Sequence, residues 1–356
     1  MKKIKIAVSG IGNRALPKNP SNSNWLGWVE QISKSAEFEL VAVHDTANES
    51  LERIRERGYL SGDKTFTDLD LMLEKVELEA VLICNPAAHH AETIIKCVDR
   101  GLNILVEKPF VSSLADGKKC IEKIAQNNVV ANVVQTWRAK STGQAIYHSI
   151  QDGMLGKIGH VFFRYLRNRE NPNLPKYIFQ EKYPLLYAMG IHHFDLIRYV
   201  LQDDYESVSG NSFRPPWSYY ESSTGVNLFF KTKGGVPVIY SGTLSVQNKV
   251  SPQEYWLIEG EKGSLLNESE WLEPPLYFIP RGSKEKSDLT GSIPQKSVSE
   301  QYDLSDRSIL KNFYGSIFKA EKPICSAVEG LKSTAAVEAA RITCEEGRTI
   351  YLKELL

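Results

Sequence analysis

Short apolar runs alternate with amphipathic stretches along the first part of the chain. Each run is rich in Val, Ile, Leu and Ala, which is typical of strands buried on both faces of a parallel sheet. The predicted strands are Ile4–Ser9, Glu39–His44, Ala80–Cys84, Asn103–Glu107 and Val129–Gln135. The stretches between them predict helices at Trp25–Ser35, Asn48–Arg57, Ala88–Arg100 and Ser113–Gln126. This alternation predicts a doubly wound α/β domain with a parallel sheet.

The pattern changes after Arg138, where apolar and polar residues alternate along the strands. Strands are predicted at Gly159–Tyr165, Gly225–Lys231, Val236–Ser241 and Glu254–Glu259, and helices at Thr142–Gln151, Pro184–Leu201, Asp306–Lys319 and Gly330–Glu346. The pair Gly234-Gly235 lies between two strands and predicts a hairpin turn. We therefore expect an α+β domain built on an open, mostly antiparallel sheet, and place the two domains at residues 1–137 and 138–356.

The charge balance of the chain excludes several classes of partner. The 356 residues include 43 Lys and Arg and 43 Asp and Glu, so the formal net charge is zero. A neutral chain without blocks of like charge is not expected to bind nucleic acid or an anionic membrane surface. No segment reaches the roughly 18 consecutive apolar residues of a membrane span. A small neutral or polar ligand fits this composition better than a nucleic acid or a membrane surface does.

The cysteines and the start of the chain bear on location. The five cysteines are widely spaced and include no Cys-x-x-Cys pair. Buried free thiols are the simpler interpretation, which suggests a reducing compartment. The first apolar run is interrupted by Lys5 and ends at Gly10, so it is too short for the core of a signal peptide. We therefore expect a cytoplasmic protein.

A glycine-rich motif, Gly10-Ile11-Gly12-Asn13-Arg14-Ala15, directly follows the first predicted strand. It matches Gly-x-Gly-x-x-Gly/Ala, in which the first glycine permits a tight turn and the second lets backbone N–H groups approach a pyrophosphate. The second predicted strand ends at Asp45, where a carboxylate accepts hydrogen bonds from ribose hydroxyls and repels a 2′-phosphate. The motif and this acid together predict NAD as the cofactor, in preference to NADP.

The spacing inside this motif is unusually long. Asp45 lies 35 residues after Gly10, because the Pro- and Asn-rich segment Leu16–Ser23 intervenes before the first helix. Such a composition predicts a loop. Either the helix dipole points at the pyrophosphate less directly, or the loop folds over the cofactor as a flap, and the sequence leaves both open.

Several segments, taken in order, resemble the Gfo/Idh/MocA family of oxidoreductases, named after glucose-fructose oxidoreductase and inositol dehydrogenase. They are Asn85-Pro86-Ala87-Ala88-His89-His90-Ala91-Glu92, Glu107-Lys108-Pro109 and Gly190-Ile191-His192-His193-Phe194-Asp195-Leu196. The segment Gly260-Glu261-Lys262-Gly263-Ser264 is similar to the family's Gly-Thr-Lys-Gly turn. The resemblance runs over almost the whole chain.

The resemblance implies an NAD-binding Rossmann domain and a second domain whose sheet carries part of the substrate site. That sheet often forms an oligomer interface in the family, so a homodimer or homotetramer is expected. The implied activity is hydride transfer between nicotinamide and a carbinol carbon of a sugar, sugar derivative or cyclitol. Lys108 would then lie beside the nicotinamide of the cofactor and the reacting hydroxyl, where an ammonium group stabilises developing alkoxide charge. Asn85, Pro86, His90 and Glu107 are expected near the cofactor.

The helix that carries the histidine pair is expected to supply the acid/base. His192 is the candidate, because an imidazole titrates near neutrality and can take the hydroxyl proton as the hydride leaves. His193 would contact substrate or stabilise the structure. Asp195 would orient His192 or bond to backbone elsewhere in its domain.

Weaker candidates for substrate contact follow two of the predicted strands. Arg138 matches an arginine that family enzymes place near substrate, and Arg167 and Asn168 end a strand of the second domain. The histidines lack the spacing of a dedicated metal cage, so no metal is expected.

One position departs from the family pattern. Many members have an aspartate four residues before the histidine, and this chain has Ala188 there. The difference indicates either a substrate with another group at that point, with water or Tyr187 compensating, or lapsed catalysis. Two other hypotheses therefore stay open: an enzyme that recycles bound NAD to cleave glycosidic bonds, and a non-catalytic NAD-linked binding protein.

Overall fold

The computed structural model describes residues 2–18, 25–249, 251–292 and 298–356. The chain forms two compact units, each made of two segments. The first is Met1–Ala139 with Ser297–Thr334, and the second is Lys140–Lys296 with Ala335–Leu356. The sequence pattern suggested a single division after residue 137, whereas the contacts place a late helical segment in the first unit. Within the described ranges, no helix is long and apolar enough to cross a membrane.

The first unit is built on a parallel sheet of six strands. The strands are β1 (Ile4–Ser9), β2 (Phe38–His44), β3 (Thr65–Phe66), β4 (Ala80–Ile83), β5 (Asn103–Val106) and β6 (Ala131–Val133). Their order is β3-β2-β1-β4-β5-β6, and every neighbouring pair is parallel. The doubly wound parallel sheet expected from the sequence is confirmed. The strand order reverses between β1 and β4, and ligands of such sheets bind at the carboxyl edge of this point.

Helices cover both faces of this sheet. They are α1 (Trp28–Ser33), α2 (Asn48–Glu56), α3 (Leu69–Lys75), α4 (His90–Val98), α5 (Leu114–Asn127), α6 (Thr136–Ala139) and α10 (Val298–Phe318). One core cluster includes side chains of α1, α2 and α10, with the rings of Phe38 and Phe313 stacked 6.1 Å apart. A second cluster on the other face includes side chains of α3, α4 and α5.

The second unit is built on a sheet of nine strands. They are β7 (Ile158–Leu166), β8 (Tyr205–Phe213), β9 (Gly225–Thr232), β10 (Pro237–Thr243), β11 (Glu254–Gly260), β12 (Gly263–Ser269), β13 (Leu276–Pro280), β14 (Ser287–Asp288) and β15 (Ile350–Tyr351). Their order is β14-β13-β12-β11-β7-β10-β9-β8-β15. In this sheet β7 and β10 are parallel and the other neighbours are antiparallel, which confirms the mostly antiparallel sheet. The predicted hairpin turn at Gly234-Gly235 joins β9 to β10.

The second unit also contains helical elements, one of which packs on one face of its sheet. They are α7 (Ser141–Gln151), α8 (Lys176–Phe179), a π-helical turn (Leu186–Gly190) and α9 (Ile191–Leu201), and α11 (Ala327–Glu346) reaches this unit with its later residues. Phe194 of α9 packs between the rings of Phe230 and Tyr240. The alternating burial along β9 leaves Phe229 exposed on the opposite face. One face of the sheet is therefore core and the other is open.

Candidate functional site

The glycine loop follows β1 in a conformation that only glycine adopts easily. Gly10 has φ +90°, and its N–H donates to the carbonyl of His44 at 2.8 Å. A Cβ at Gly10 would lie 2.3 Å from the backbone nitrogen of Asn85. At Gly12, in contrast, nothing lies within 4 Å of an added Cβ, and both Gly12 and Asn13 are exposed. The loop is thus fixed at its start and open where a phosphate would approach the backbone.

The first helix of this unit is interrupted by an excursion of the chain. The N–H of Trp28 donates to the carbonyl of Arg14 at 3.3 Å, and that of Val29 to Ala15 at 3.0 Å. Residues 18 and 19 would make these bonds in a continuous helix, so the excursion is ten residues long. A single backbone turn closes at Gly12–Leu16, and α1 begins at Trp28 after the excursion. The flap alternative concerns residues 19–24, which lie outside the described residues.

Asp45 follows β2 and is hydrogen-bonded to the glycine loop. Its Oδ2 accepts the N–H of Ile11 at 2.6 Å, and its Oδ1 accepts the N–H of Ala47 at 2.8 Å. The side chain is half-buried. Because an ionised carboxylate has about four acceptor sites, two such bonds leave capacity for ribose hydroxyls.

His90 joins the two loops that follow β4 and β5. It is buried, with Nε2 2.8 Å from the carbonyl oxygen of Asn85 and Nδ1 2.9 Å from that of Pro109. The two ring nitrogens thus face backbone carbonyls of two different loops. Pro86, next to Asn85, is exposed at the same sheet edge. His90 therefore holds together the loops at Asn85 and Pro109, which are predicted to lie near the cofactor.

Glu107 is the centre of a polar cluster beneath the glycine loop. Its Oε1 accepts from Arg14 Nε at 3.1 Å and from Trp28 Nε1 at 2.8 Å. Its Oε2 accepts the backbone N–H of Lys108 at 3.1 Å. Arg14 also donates from Nη2 to Oδ1 of Asp306 on α10 at 2.6 Å, and its guanidinium lies over the ring of Trp28. Glu107 and Arg14 are therefore internal supports that fix the backbone at Lys108.

Asp306 makes the stability of this cluster dependent on pH. The carboxyl is fully buried, and burial raises its pKa from 3.8 to about 6, although Arg14 lowers it. A carboxyl with a higher pKa in the folded chain binds its proton more tightly there. Its contribution to the free energy of unfolding is therefore largest below pH 4 and falls as the pH rises to about 6.

We expect the Asp306→Asn variant to lack this dependence. Relative to the wild type, the variant should gain up to about 3 kcal/mol of stability between pH 4 and pH 6, since one pKa unit corresponds to about 1.4 kcal/mol. Urea unfolding of both proteins at several pH values measures the difference. Parallel stability curves across this range would contradict the assignment to Asp306.

Lys108 lies at the same edge of the sheet as the glycine loop. Gly10, Asn85 and Lys108 follow β1, β4 and β5, which are neighbours in the parallel sheet. The carboxyl ends of parallel strands meet at one edge, so the structure brings these predicted residues together. Lys108 is half-buried, and its backbone is held by Glu107.

In the second unit, a π-helical turn directly precedes the histidine pair. It spans Leu186–Gly190, and the N–H of Ile191 reaches back five residues to the carbonyl of Leu186. The sequence predicted one regular helix over Pro184–Leu201 and did not indicate this turn. Such turns are rare and frequent at functional sites. His192 follows it on α9 with 7% of its surface exposed.

His193 and Asp195 are core residues. His193 is fully buried, with Nδ1 2.9 Å from the hydroxyl of Tyr240 and its ring centroid 4.6 Å from that of Phe163. Burial holds the pKa of His193 well below 6.5, so the ring is neutral. Asp195 has no exposed surface. Of the two roles that the sequence left open for His193, this packing supports the structural one.

Tyr187 does not fill the place of the missing aspartate. Its hydroxyl donates to Oε1 of Glu338 on α11 at 2.5 Å, and Arg341 bonds the other oxygen of that carboxylate. Burial and Glu338 both raise the pKa of Tyr187. The tyrosine is thus engaged with α11, and Ala188 in the π-helical turn carries no polar side chain.

The two remaining substrate candidates make mainly internal contacts. Arg138 is buried and donates to the carbonyl of Ile324 at 3.0 Å, with Glu329 3.5 Å away. Asn168 is exposed and donates to the carbonyl of Gln247 at 3.0 Å. Neither arrangement points to a ligand. In the part of the chain that the structure describes, no group of three or more His, Cys, Asp or Glu could hold a metal ion.

Sequence reasoning missed three side chains that shape these sites. Trp28 and Asp306 complete the cluster at Glu107, and Trp271 stacks under Arg167 with the guanidinium carbon 4.4 Å from the ring centroid. Asp306 lies 292 residues from its partner Arg14, and no local motif signals such a contact.

Two family models match the chain. Residues 4–135 match the oxidoreductase family with an NAD-binding Rossmann fold, and residues 144–266 match the GFO/IDH/MocA C-terminal domain. Myo-inositol 2-dehydrogenase of Thermotoga maritima is 24% identical over 89% of this chain and 92% of its own. D-apiose dehydrogenase of Paraburkholderia graminis is also 24% identical, over 89% of this chain and 84% of its own.

Solved structures show the same fold. A crystal structure of an oxidoreductase from Agrobacterium radiobacter, in complex with NAD+, L-tartaric acid and magnesium, has a TM-score of 0.86 with this chain. The two are 16% identical, and the match covers 100% of each chain.

Proposed function

The chain belongs to the Gfo/Idh/MocA family of oxidoreductases, and we propose that it transfers a hydride between NAD and a carbinol carbon of a sugar, sugar derivative or cyclitol. Its relatives are sugar and cyclitol dehydrogenases, and its first unit is an NAD-binding Rossmann domain. The observation that carries the proposal is the arrangement at one sheet edge, where the glycine loop, Asp45 and Lys108 follow β1, β2 and β5 of the same parallel sheet.

The residues present fit the dinucleotide. The exposed backbone at Gly12 and Asn13 would hold the pyrophosphate, and the spare acceptor sites of Asp45 would hold the adenosine ribose. The loop that starts at Asn85, which His90 holds through the Asn85 carbonyl, would line the cofactor site at the same edge of the sheet. When bound, NAD supplies the hydride acceptor in the oxidation direction.

The residues of the chain handle the oxygen and its proton. In oxidation, the C–H bond breaks with transfer of hydride, and the O–H bond breaks with transfer of a proton. The ammonium group of Lys108 orients the hydroxyl and stabilises the negative charge that develops on its oxygen. His192 accepts the hydroxyl proton at a ring nitrogen and returns it in the reverse direction.

A substrate panel followed by NADH absorbance tests this proposal. Sugars, cyclitols and sugar acids are supplied with NAD+, and NAD+ binding is measured separately by quenching of tryptophan fluorescence. We expect NAD+ binding and NADH formation with at least one substrate. NAD+ binding without any turnover would instead support the non-catalytic alternative suggested by Ala188. Retained NAD with bond cleavage and no net NADH would support the recycling alternative.

We expect the Asp45→Ala variant to bind NAD+ about 10–100-fold more weakly, because hydrogen bonds to a charged carboxylate contribute about 1.5–3 kcal/mol each. The affinity for NADP+ should fall less or rise, since the repelling charge is removed. The dissociation constants of both nucleotides measure the change. Glu49→Ala, which removes an exposed acid on α2, is the control. An unchanged NAD+/NADP+ ratio would contradict the role of Asp45.

We also propose that the open face of the second unit's sheet joins two copies of the chain. A row of apolar side chains, Phe229, Ile239, Phe162 and Leu257, crosses four neighbouring strands at directly paired positions. Phe229 and Ile239 are 48% and 42% exposed. Ile239→Lys should therefore yield a smaller species by light scattering, whereas Tyr177→Lys on α8 should not. A wild-type monomer would contradict this proposal.

A further inference from the structure

We propose that Arg167 and Arg169, which follow β7, form a subsite for the carboxylate of an acidic sugar derivative, with Tyr165, Trp271 and Tyr220 around it. This inference rests on the proposed function and narrows its substrate class.

The two arginines continue the inner face of β7. Phe163 and Tyr165 lie on that face, and both rings pack against the ring of His193 on α9. The backbone stays extended beside β10, with the N–H of Arg167 bonded to the carbonyl of Thr243 at 3.0 Å. Because side chains alternate along a strand, Arg167 falls on the same side as Tyr165, and its Nη1 lies 3.4 Å from the Tyr165 hydroxyl.

Neither guanidinium has a carboxylate partner. Within the described ranges, no Asp or Glu oxygen lies within 4.0 Å of Arg167 or Arg169, although both side chains are half-buried. The carboxylate of the adjacent Glu170 instead accepts hydrogen bonds from the hydroxyl of Ser218 at 2.7 Å and from the backbone N–H of Tyr219 at 2.8 Å. Two partly desolvated positive charges without a counter-charge favour an anionic ligand.

Arg167 is held in place by a rigid aromatic platform. Its guanidinium lies over the ring of Trp271, 4.4 Å from the centroid. Trp271 and Leu272 both have positive φ, at 62° and 55°. The buried carboxylate of Glu254 accepts both of their N–H groups, at 3.0 and 2.7 Å. Strained backbone of this kind persists where its surroundings fix it, and it clusters at ligand sites.

Tyr220 supplies a second, independent observation. It has no exposed surface, and in the described part of the chain its hydroxyl has no hydrogen-bond partner. Burial raises the pKa of Tyr220, while the nearby charges of Arg169 and Arg167 oppose that shift. A buried hydroxyl without a hydrogen-bond partner destabilises the folded chain unless a ligand or a water molecule supplies the missing hydrogen bond. An oxygen of a bound anion beside the two arginines would do so.

The departure at Ala188 agrees with an acidic substrate. Leu185, three residues before Ala188, has a side-chain carbon 3.1 Å from an ideal Cβ at Gly242, which pairs with Tyr165 of β7. An aspartate in place of Ala188 would repel a substrate carboxylate, whereas alanine does not. A planar guanidinium fork binds a carboxylate through two parallel hydrogen bonds, and we assign the subsite to a carboxylate; a phosphate, which the fork can also bind, is an outcome of the test.

The experiment compares matched substrates with NAD+: glucuronate and galacturonate, the neutral sugars glucose and galactose, and glucose 6-phosphate. We expect the acids to have kcat/KM values about 10–100-fold above their neutral counterparts, as expected for one charge-assisted pair. Arg167→Gln and Arg169→Gln should raise KM for the acids about 10-fold or more, with a smaller change in kcat and none with neutral sugars. Arg100→Gln, which removes an exposed arginine after α4 in the first unit, is the control, and Arg167→Lys should restore part of the loss.

Other results would overturn the subsite. A preference for neutral sugars or for the phosphate, or equal losses on acidic and neutral substrates in the arginine variants, would each contradict it. Calorimetric titration of glucuronate into the NADH-loaded protein tests binding without turnover, and no difference between wild type and Arg167→Gln would also contradict it. Turnover of neutral sugars alone would leave the proposed function intact while removing this subsite. Absence of NAD+ binding would instead remove the proposed function.

Discussion

Replacing Lys108 with alanine should lower kcat about 10²–10³-fold, because loss of one donor to a developing oxyanion has an effect of this size. The affinity for NAD+ should change little, since the backbone at this position is held by Glu107 and not by the lysine side chain. Stopped-flow measurement of NADH formation under saturating substrate gives kcat, and fluorescence quenching gives the NAD+ affinity.

A matched lysine tests whether the loss is specific. Lys118→Ala removes an exposed lysine from α5 and should leave kcat unchanged. If Lys108→Ala keeps its full activity, the proposed role of the lysine is wrong. If it loses NAD+ binding together with activity, the lysine serves the cofactor more than the reacting oxygen.

The second large effect is expected at His192. His192→Asn keeps a polar side chain of similar shape but removes the proton acceptor, and should lower kcat about 10²–10⁴-fold. Its pH profile is the more telling measurement. In the wild type, kcat/KM for oxidation should rise with pH as the imidazole loses its proton, and this rise near neutrality should be absent from the variant.

His148 offers the control for that substitution. It is exposed on α7, and His148→Asn should preserve both the rate and the pH profile. An unaltered pH profile in His192→Asn would mean that another group moves the proton. His193→Asn is unsuitable as a comparison, because that ring is packed in the core and its replacement would affect folding.

The fold could be predicted because its signals are local. Strand runs such as Ile4–Ser9 and helical periods such as Asn48–Arg57 depend on neighbouring residues, and the structure has these elements within one residue. The glycine motif and Asp45 were identified for the same reason, as each marks the end of a strand. The short pair of β3 and α3 was missed, because two strand residues do not make a recognisable period.

The interactions that hold the site residues in place could not be predicted, because they join parts of the chain that are far apart in sequence. Arg14 looked like part of a phosphate loop, yet its guanidinium bonds to Glu107 and Asp306. The sequence left His193 open between substrate contact and a structural role, and only the structure shows that its side chain is buried in the core. The interruption of the first helix could not be predicted either, because the intervening residues carry no sequence signal for the hydrogen bond between Trp28 and Arg14.

The excursion in the first helix has a consequence for how this chain can vary. Because the bonds from Trp28 to Arg14 and from Val29 to Ala15 close it at its base, the length of the chain between them is not fixed by the helix. The entropy of closing such a loop changes by only about 0.6 kcal/mol for each doubling of its length. We therefore expect the chain between Ala15 and Trp28 to tolerate an inserted peptide tag or reporter domain without a change in the conformation of the glycine loop.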